Sequence, residues 1–191
     1  MLSVLAFSGS SRSGSVNTQL VHAAANAVRN AGADVDEIDL RDFPMPLYDG
    51  DEEAAEGPPE NAARLRDLFA SKDAFLVGCP EYNGLITPLL KNTIDWISRP
   101  DAAGNPGTRC VQGKLAALTA ASPGGLGGLR GLVHVRVLLA NIGMFVLPDQ
   151  MALPGAAKAF NDNGTLKDAS IAKRLTGLAE SFVRFGERLR G

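Results

Sequence analysis

Short continuous apolar runs alternate along the chain with longer segments whose apolar residues recur every three to four positions, the pattern of βαβ units feeding a parallel sheet that is buried on both faces. The runs at 3–7, 35–40, 74–79, 115–121 and 144–147 read as five strands. Leu20, Val21, Ala24, Val28 and Ala31 share one helix face, which Gly32 is placed to end. A second helix is expected over 61–71. A third over 88–98 carries Leu89, Leu90, Thr93, Ile94 and Ile97 on one side, with Pro88 suited to its first turn, and a fourth covers 132–141. From residue 168, Ile171, Leu175, Leu178, Phe182, Phe185 and Leu189 form a stripe that reads as the inward face of a core helix. Residues 41–59, rich in proline and carrying a DEE run, read as a surface connection, and 99–109 as a loop. The fold class is α/β.

A length of 191 residues predicts one domain, 1–191, around one core. A net charge of −2 without a run of five like charges offers no field for nucleic acid or an anionic membrane. Cys79 and Cys110, with His22 and His134 as the only histidines, give neither a disulfide scaffold nor zinc spacing. Cys79, ending an apolar strand, reads as a buried hydrophobe rather than a nucleophile. The stretch 137–147 is interrupted by Asn141 and Gly143, well short of the roughly 20 residues that span a bilayer. No signal-peptide pattern opens the chain, so the expected location is the cytoplasm, with reduced thiols.

In an open parallel sheet, ligands bind beyond the carboxyl ends of the strands, and the loops after the first, third and fourth runs are unusual. The first, GSSRSGSVNTQL, joins strand to helix with Ser10, Arg12, Ser15, Asn17 and Thr18. Helix-start N–H groups, hydroxyls and one guanidinium make a phosphate site. Ser15 stands where a P-loop lysine belongs and Ser11 where GxGxxG has its middle glycine, so a terminal monophosphate fits better than a triphosphate or pyrophosphate. A plain turn with an N-cap explains the same residues.

The second loop, CPEYNGLITP, offers free backbone groups and an aromatic ring at Pro80, Glu81, Tyr82, Asn83 and Gly84, as a planar heterocycle requires. Glu81 has no second carboxylate or histidine near it in sequence and reads better as a hydrogen-bond acceptor for backbone than as a general acid. The third loop, ASPGGLGGLRG, has Ser122 followed by Gly124, Gly125, Gly127 and Gly128, where missing side chains bring backbone amides against a ligand.

GSSRSGSVN, PEYNGLITPLLKNTIDWIS and ASPGGLGGLRG, with FNDNGTLKD before the last helix, resemble the NADPH-dependent FMN reductase family, which includes quinone, azo-dye and chromate reductases. The resemblance implies a flavodoxin-like five-stranded parallel sheet in the order 2-1-3-4-5 with helices on both faces. It implies that Ser10, Arg12, Ser15, Asn17 and Thr18 hold the FMN phosphate, that Pro80 to Gly84 line the isoalloxazine, and that Ser122 and the following glycines border flavin and ribityl chain. It also implies hydride donation by NADPH or NADH, two-electron transfer to quinone, azo, nitro or chromate acceptors, and a homodimer or homotetramer. A flavin carries the redox chemistry itself, which accounts for a sequence without triad or metal cluster.

The alternatives are an electron-carrier flavodoxin without nicotinamide turnover and an FMN-free phosphate-binding module. For the assembly the residues add their own argument. The helix after PEYNG, with Leu85, Ile86, Leu89 and Trp96, has more apolar surface than one sheet face covers, and either a second subunit or the 99–109 loop is expected to cover it.

Overall fold

The computed structural model describes residues 1–101 and 103–190; Ala102, within the expected 99–109 loop, and Gly191, at the end of the expected domain, lie outside the described residues. The strands are β1 (Ser3–Ser8), β2 (Asp34–Asp39), β3 (Ala74–Gly78), β4 (Glu81–Tyr82), β5 (Leu85–Ile86), β6 (Leu115–Ala121) and β7 (Phe145–Leu153). The α-helices are α1 (Val16–Asn30), α2 (Gly50–Glu56), α3 (Glu60–Ala70), α4 (Pro88–Ile97), α5 (Leu129–Asn141) and α6 (Ala169–Arg190). With β4 and β5 set apart as a two-stranded hairpin, the other strands form one parallel sheet in the order β2-β1-β3-β6-β7, the expected 2-1-3-4-5.

Successive strand residues point to opposite faces, so each continuous apolar run feeds two cores. Val4, Ala6, Leu76 and Ala117 meet Leu20 and Ala24 of α1 and Leu175 and Phe182 of α6. Leu5, Phe7, Phe75, Val77 and Leu118 meet Leu65 and Phe69 of α3, Leu90 and Ile94 of α4 and Leu132 of α5. Close approach of α1 depends on Gly78, where a Cβ would stand 2.4 Å from Val21 Cγ2.

The elements differ from the sequence expectation in particular places. α1 starts at Val16, so Asn17 and Thr18 belong to its first turn rather than to the preceding loop. β7 runs on through Pro148 to Leu153 because an edge strand tolerates proline, and its pairing with β6 is irregular there, the register moving from Ala116↔Val146 to Leu118↔Gln150. The inward stripe of α6 ends at Phe182 and Val183, with Phe185 43% and Leu189 49% exposed.

Residues 41–59 do lie on the surface, but they hold the 3₁₀ turn Leu40–Asp42 and α2, and their Pro44–Tyr48 stretch packs on α4. Trp96 is 1% exposed, its indole N–H donating to the Pro46 carbonyl at 2.7 Å and its ring set edge-on to Tyr48. The apolar surplus expected to reach a partner through Trp96 is thus covered within the chain by the Pro44–Tyr48 stretch, with the Arg99 guanidinium over the Tyr48 ring. Leu85 remains 53% exposed.

Candidate functional site

The β1–α1 connection is built around hydroxyls that accept backbone N–H groups. Ser8 Oγ accepts from Ser10 N–H at 3.3 Å, Ser10 Oγ from Arg12 N–H at 3.3 Å, and Ser15, the N-cap of α1, from Asn17 N–H at 3.2 Å. Ser10 and Ser15 are buried, and each keeps its own hydroxyl hydrogen for an outside acceptor. Arg12, Gly14 and Thr18 are exposed around them. The other cation here is turned aside: Arg41 donates to Asp39 through Nε and Nη2, holding that carboxyl below its ordinary range, and reaches Ser13 Oγ at 3.3 Å. Gly9 fits beneath because a Cβ would sit 2.8 Å from Leu90 Cβ. Its carbonyl accepts from the Thr87 hydroxyl at 2.6 Å, and Thr87, followed by Pro88, is also the N-cap of α4.

Asn17 departs from its expected role. Its carboxamide is spent on the end of β6, Oδ1 accepting from Ala121 N–H and Nδ2 donating to the Ala121 carbonyl. It joins the first loop to the third rather than facing outward.

The second loop is a hairpin. Asn83 (φ 53°) and Gly84 (φ 82°) are the two left-handed central residues that a type I′ turn requires, and Glu81 and Tyr82 pair with Ile86 and Leu85. Pro80 is buried, whereas Tyr82 is 42% exposed with Asn83 beside it. Glu81 turns away from solvent, its side chain 8% exposed. Its Oε1 accepts from Arg130 Nε at 2.8 Å and Nη2 at 2.6 Å, and its Oε2 from Gly131 N–H at 3.0 Å. Burial pushes this carboxyl up, but the Gly131 N–H and the Arg130 guanidinium outweigh burial and hold it below the ordinary value of 4.5. A base held ionised in an ion pair is poorly suited to shuttling a proton. The expected backbone bond of Glu81 is present.

In the third loop the glycines divide. A Cβ at Gly127 would lie 2.6 Å from the Leu153 carbonyl carbon and one at Gly128 2.8 Å from Ala120 Cβ, so these two are glycine for inward packing at φ 62° and 87°. Gly124 and Gly125 are exposed, with nothing within 4 Å of a Cβ on Gly125, and there the missing side chains leave backbone open. Ser122 Oγ accepts from Gly124 N–H at 3.0 Å. The carboxyl ends of β1, β3 and β6 therefore bring the three loops to one edge. A separate groove of about 260 Å³ between α1, α6 and residues 163–166 includes none of their side chains.

The profile of the family described as NADPH-dependent FMN reductase matches residues 2–158. The chain belongs to that family. It is similar to a probable NADPH:quinone oxidoreductase of Oryza sativa subsp. japonica, 34% identical over 199 residues that cover 100% of this chain and 91% of the relative. It is similar also to an NAD(P)H-dependent FMN reductase of Pseudomonas aeruginosa, 32% identical over 191 residues covering 100% and 98%. FerB, a flavoenzyme NAD(P)H:(acceptor) oxidoreductase from Paracoccus denitrificans, shares the fold with a TM-score of 0.82 at 28% identity over 98% of both chains. Membership makes the chain an oxidoreductase that works with NAD(P)H and FMN, as the resemblance to the family implied.

The residues present fit an FMN of this family. The first loop offers hydroxyl donors, helix-start N–H groups and an exposed guanidinium to an anion, and the hairpin and the Gly124–Gly125 backbone border an open edge. Reading the sequence missed two residues that lace these loops together, Thr87 and Arg130, and the Arg41 guanidinium that reaches Ser13 in the first loop. Thr87 had a signal, a threonine before Pro88 and an apolar run; Arg130 had none, since its partner Glu81 is 49 residues away.

Proposed function

We propose that this chain oxidises NAD(P)H and passes two electrons to quinones or similar small acceptors such as azo and nitro compounds or chromate, within a single domain spanning the chain. The observation that carries this reading is the convergence of the three loops on one sheet edge, in a chain matched by the reductase family over most of its length. Bound FMN supplies the hydride acceptance and electron delivery that no side chain here provides. Ser10, Arg12, Ser15 and Thr18, with the first N–H groups of α1, hold the phosphate; Asn17 serves by fixing α1 to β6. Pro80, Glu81, Tyr82, Asn83 and Gly84 wall one side of the isoalloxazine, and Ser122, Gly124 and Gly125 border it with backbone, carried by the packed pair Gly127 and Gly128.

We place the protein in the cytoplasm, consistent with two free cysteines. Among the described residues no helix is long and apolar enough to cross a membrane. The working form in this reading is a homodimer or homotetramer, for which exposed apolar residues on α5 beside the hairpin give the motive.

The test is the visible spectrum of the purified protein before and after anaerobic NADPH. A yellow protein bleached by NADPH and restored by a quinone supports the reading. A flavin that NADPH cannot bleach favours an electron carrier, and a colourless protein that does not take up added FMN favours the flavin-free module.

A further inference from the structure

α5 starts at a residue that cannot cap it. Gly128 is the N-cap and has no side chain, so the first N–H groups of the helix lack the usual local acceptor. The missing acceptor comes from another element: Glu81 Oε2 takes Gly131 N–H, the third residue of the helix, while Oε1 takes the Arg130 guanidinium through two donors. A Cβ at Gly131 would stand 3.2 Å from Glu81 Cβ, so hairpin and helix meet more tightly than side chains ordinarily pack. Arg130, itself 63% exposed, also spans the hairpin, its Nε 4.0 Å from where a Cβ on Gly84 would sit.

We propose that Glu81 is a positioning residue for the flavin reaction: its buried carboxylate, shared between Arg130 and Gly131, locks the Pro80–Gly84 hairpin to the first turn of α5 and so sets the gap between two walls of the isoalloxazine site. The proposal rests on the FMN reading above. A two-stranded hairpin is too short to hold its own conformation in water, so its rigidity has to be supplied from outside. Charge-assisted bonds to a side chain this buried are the strongest tie available to it. With the clamp in place, the ordering of Tyr82, Asn83 and Gly84 is complete before flavin arrives; without it, that ordering is charged against binding.

FMN dissociation constants and the visible circular dichroism of bound FMN, measured for wild type, Glu81→Gln, Glu81→Ala, Arg130→Ala and the Glu81→Ala/Arg130→Ala double variant, test this. Glu81→Ala is expected to weaken FMN about tenfold and to change the dichroism of the bound flavin; Glu81→Gln, of the same shape, falls between it and wild type. Because Arg130 acts through Glu81, its loss should add nothing in the Glu81→Ala background. Should Glu81→Ala fail to fold, Glu81→Gln and Arg130→Ala carry the same comparison. Unchanged FMN affinity and dichroism in folded variants, whatever their melting temperatures, would reduce Glu81 to a purely structural tie and overturn the proposal. A fully additive double variant would also overturn it. A wild type that binds no FMN refutes the functional reading instead.

Discussion

Asn17 and Ala121 close a two-bond ring across the carboxyl edge of the sheet, with Ala121 N–H donating to Asn17 Oδ1 and Asn17 Nδ2 donating to the Ala121 carbonyl, both at 2.8 Å. Asn17 is the second residue of α1 and Ala121 the last of β6, so the ring sets the start of the helix that faces the phosphate loop against the start of the glycine turn. Asn17 is 5% exposed, and truncating it orphans a buried N–H and C=O together at about 1–3 kcal/mol each. Asn17→Ala is expected to lose about 2–6 kcal/mol of stability in urea titrations, with Asn17→Asp, which keeps an acceptor but not the donor, in between. An unchanged midpoint for Asn17→Ala would show the ring to be incidental.

The sheet could be read from the chain because its strands are buried on both faces, so Val4 to Phe7 and Phe75 to Val77 appear as unbroken apolar runs. The first loop was readable as a candidate phosphate site because a Gly/Ser-rich turn before a helix has a local meaning. What escaped was set by contacts between distant residues. Nothing near Trp96 announces that Pro46 will cover it, and nothing near Glu81 announces Arg130. β7 was cut short at Pro148 because proline stops an interior strand but not an edge one. Asn17 was the right residue type for the loop, yet its partner lies 104 residues away.

Arg12 is exposed and has no acidic partner among the described residues, so its removal should leave folding alone and act on the ligand. Arg12→Ala is expected to weaken FMN about tenfold to a hundredfold in fluorescence titration, the loss of one charge-assisted contact, with an unaltered melting curve. Equal affinity in the variant removes Arg12 from the phosphate site.

Trp96 fills the space beneath Pro46 and Tyr48, and its substitution is a matter of stability. Trp96→Ala should cost about 3–5 kcal/mol, and Trp96→Phe, which keeps most of the ring but orphans the Pro46 carbonyl, about 1–3 kcal/mol. Denaturant titration separates the two. A Trp96→Phe variant of full stability that changes only assembly size would restore the partner role that the buried indole contradicts.

The clamp on Glu81 gives stability a definite dependence on pH. Burial raises its carboxyl, but the bonds from Gly131 and Arg130 lower it by more, leaving the folded value below the ordinary 4.5. Between those values the unfolded chain binds the extra proton, so the contribution is complete above about pH 4.5 and is lost as pH falls through the folded value. Wild type should therefore lose its stability advantage over Glu81→Gln on acidification below pH 4.5, measured by denaturant titration at stepped pH. A difference that stays constant or grows on acidification would contradict the sign.

On α5, Leu129, Val133 and Val137 stand four residues apart on the outward face, 44%, 55% and 55% exposed, and the helix packs beside the hairpin that carries the 53%-exposed Leu85. Single exposed apolar residues are ordinary, but a stripe of three on one helix, on an element that packs against the hairpin, is the kind of patch that association covers. A second copy of the chain is the occupant we expect, because a two-fold axis through the stripe sets the helix against itself and serves both patches at once. It would also place each subunit's Tyr82–Leu85 turn near its neighbour, beside the edge where we propose that FMN binds. A charge at the centre of such a contact acts twice, so Val133→Asp is expected to lower the mass seen by light scattering and to lower turnover with it. The exposed position argues against loss of the fold as the cause, which the circular dichroism of the variant checks. A wild type that is monomeric at micromolar concentration with full turnover would leave the stripe without a partner and end the argument for a shared site.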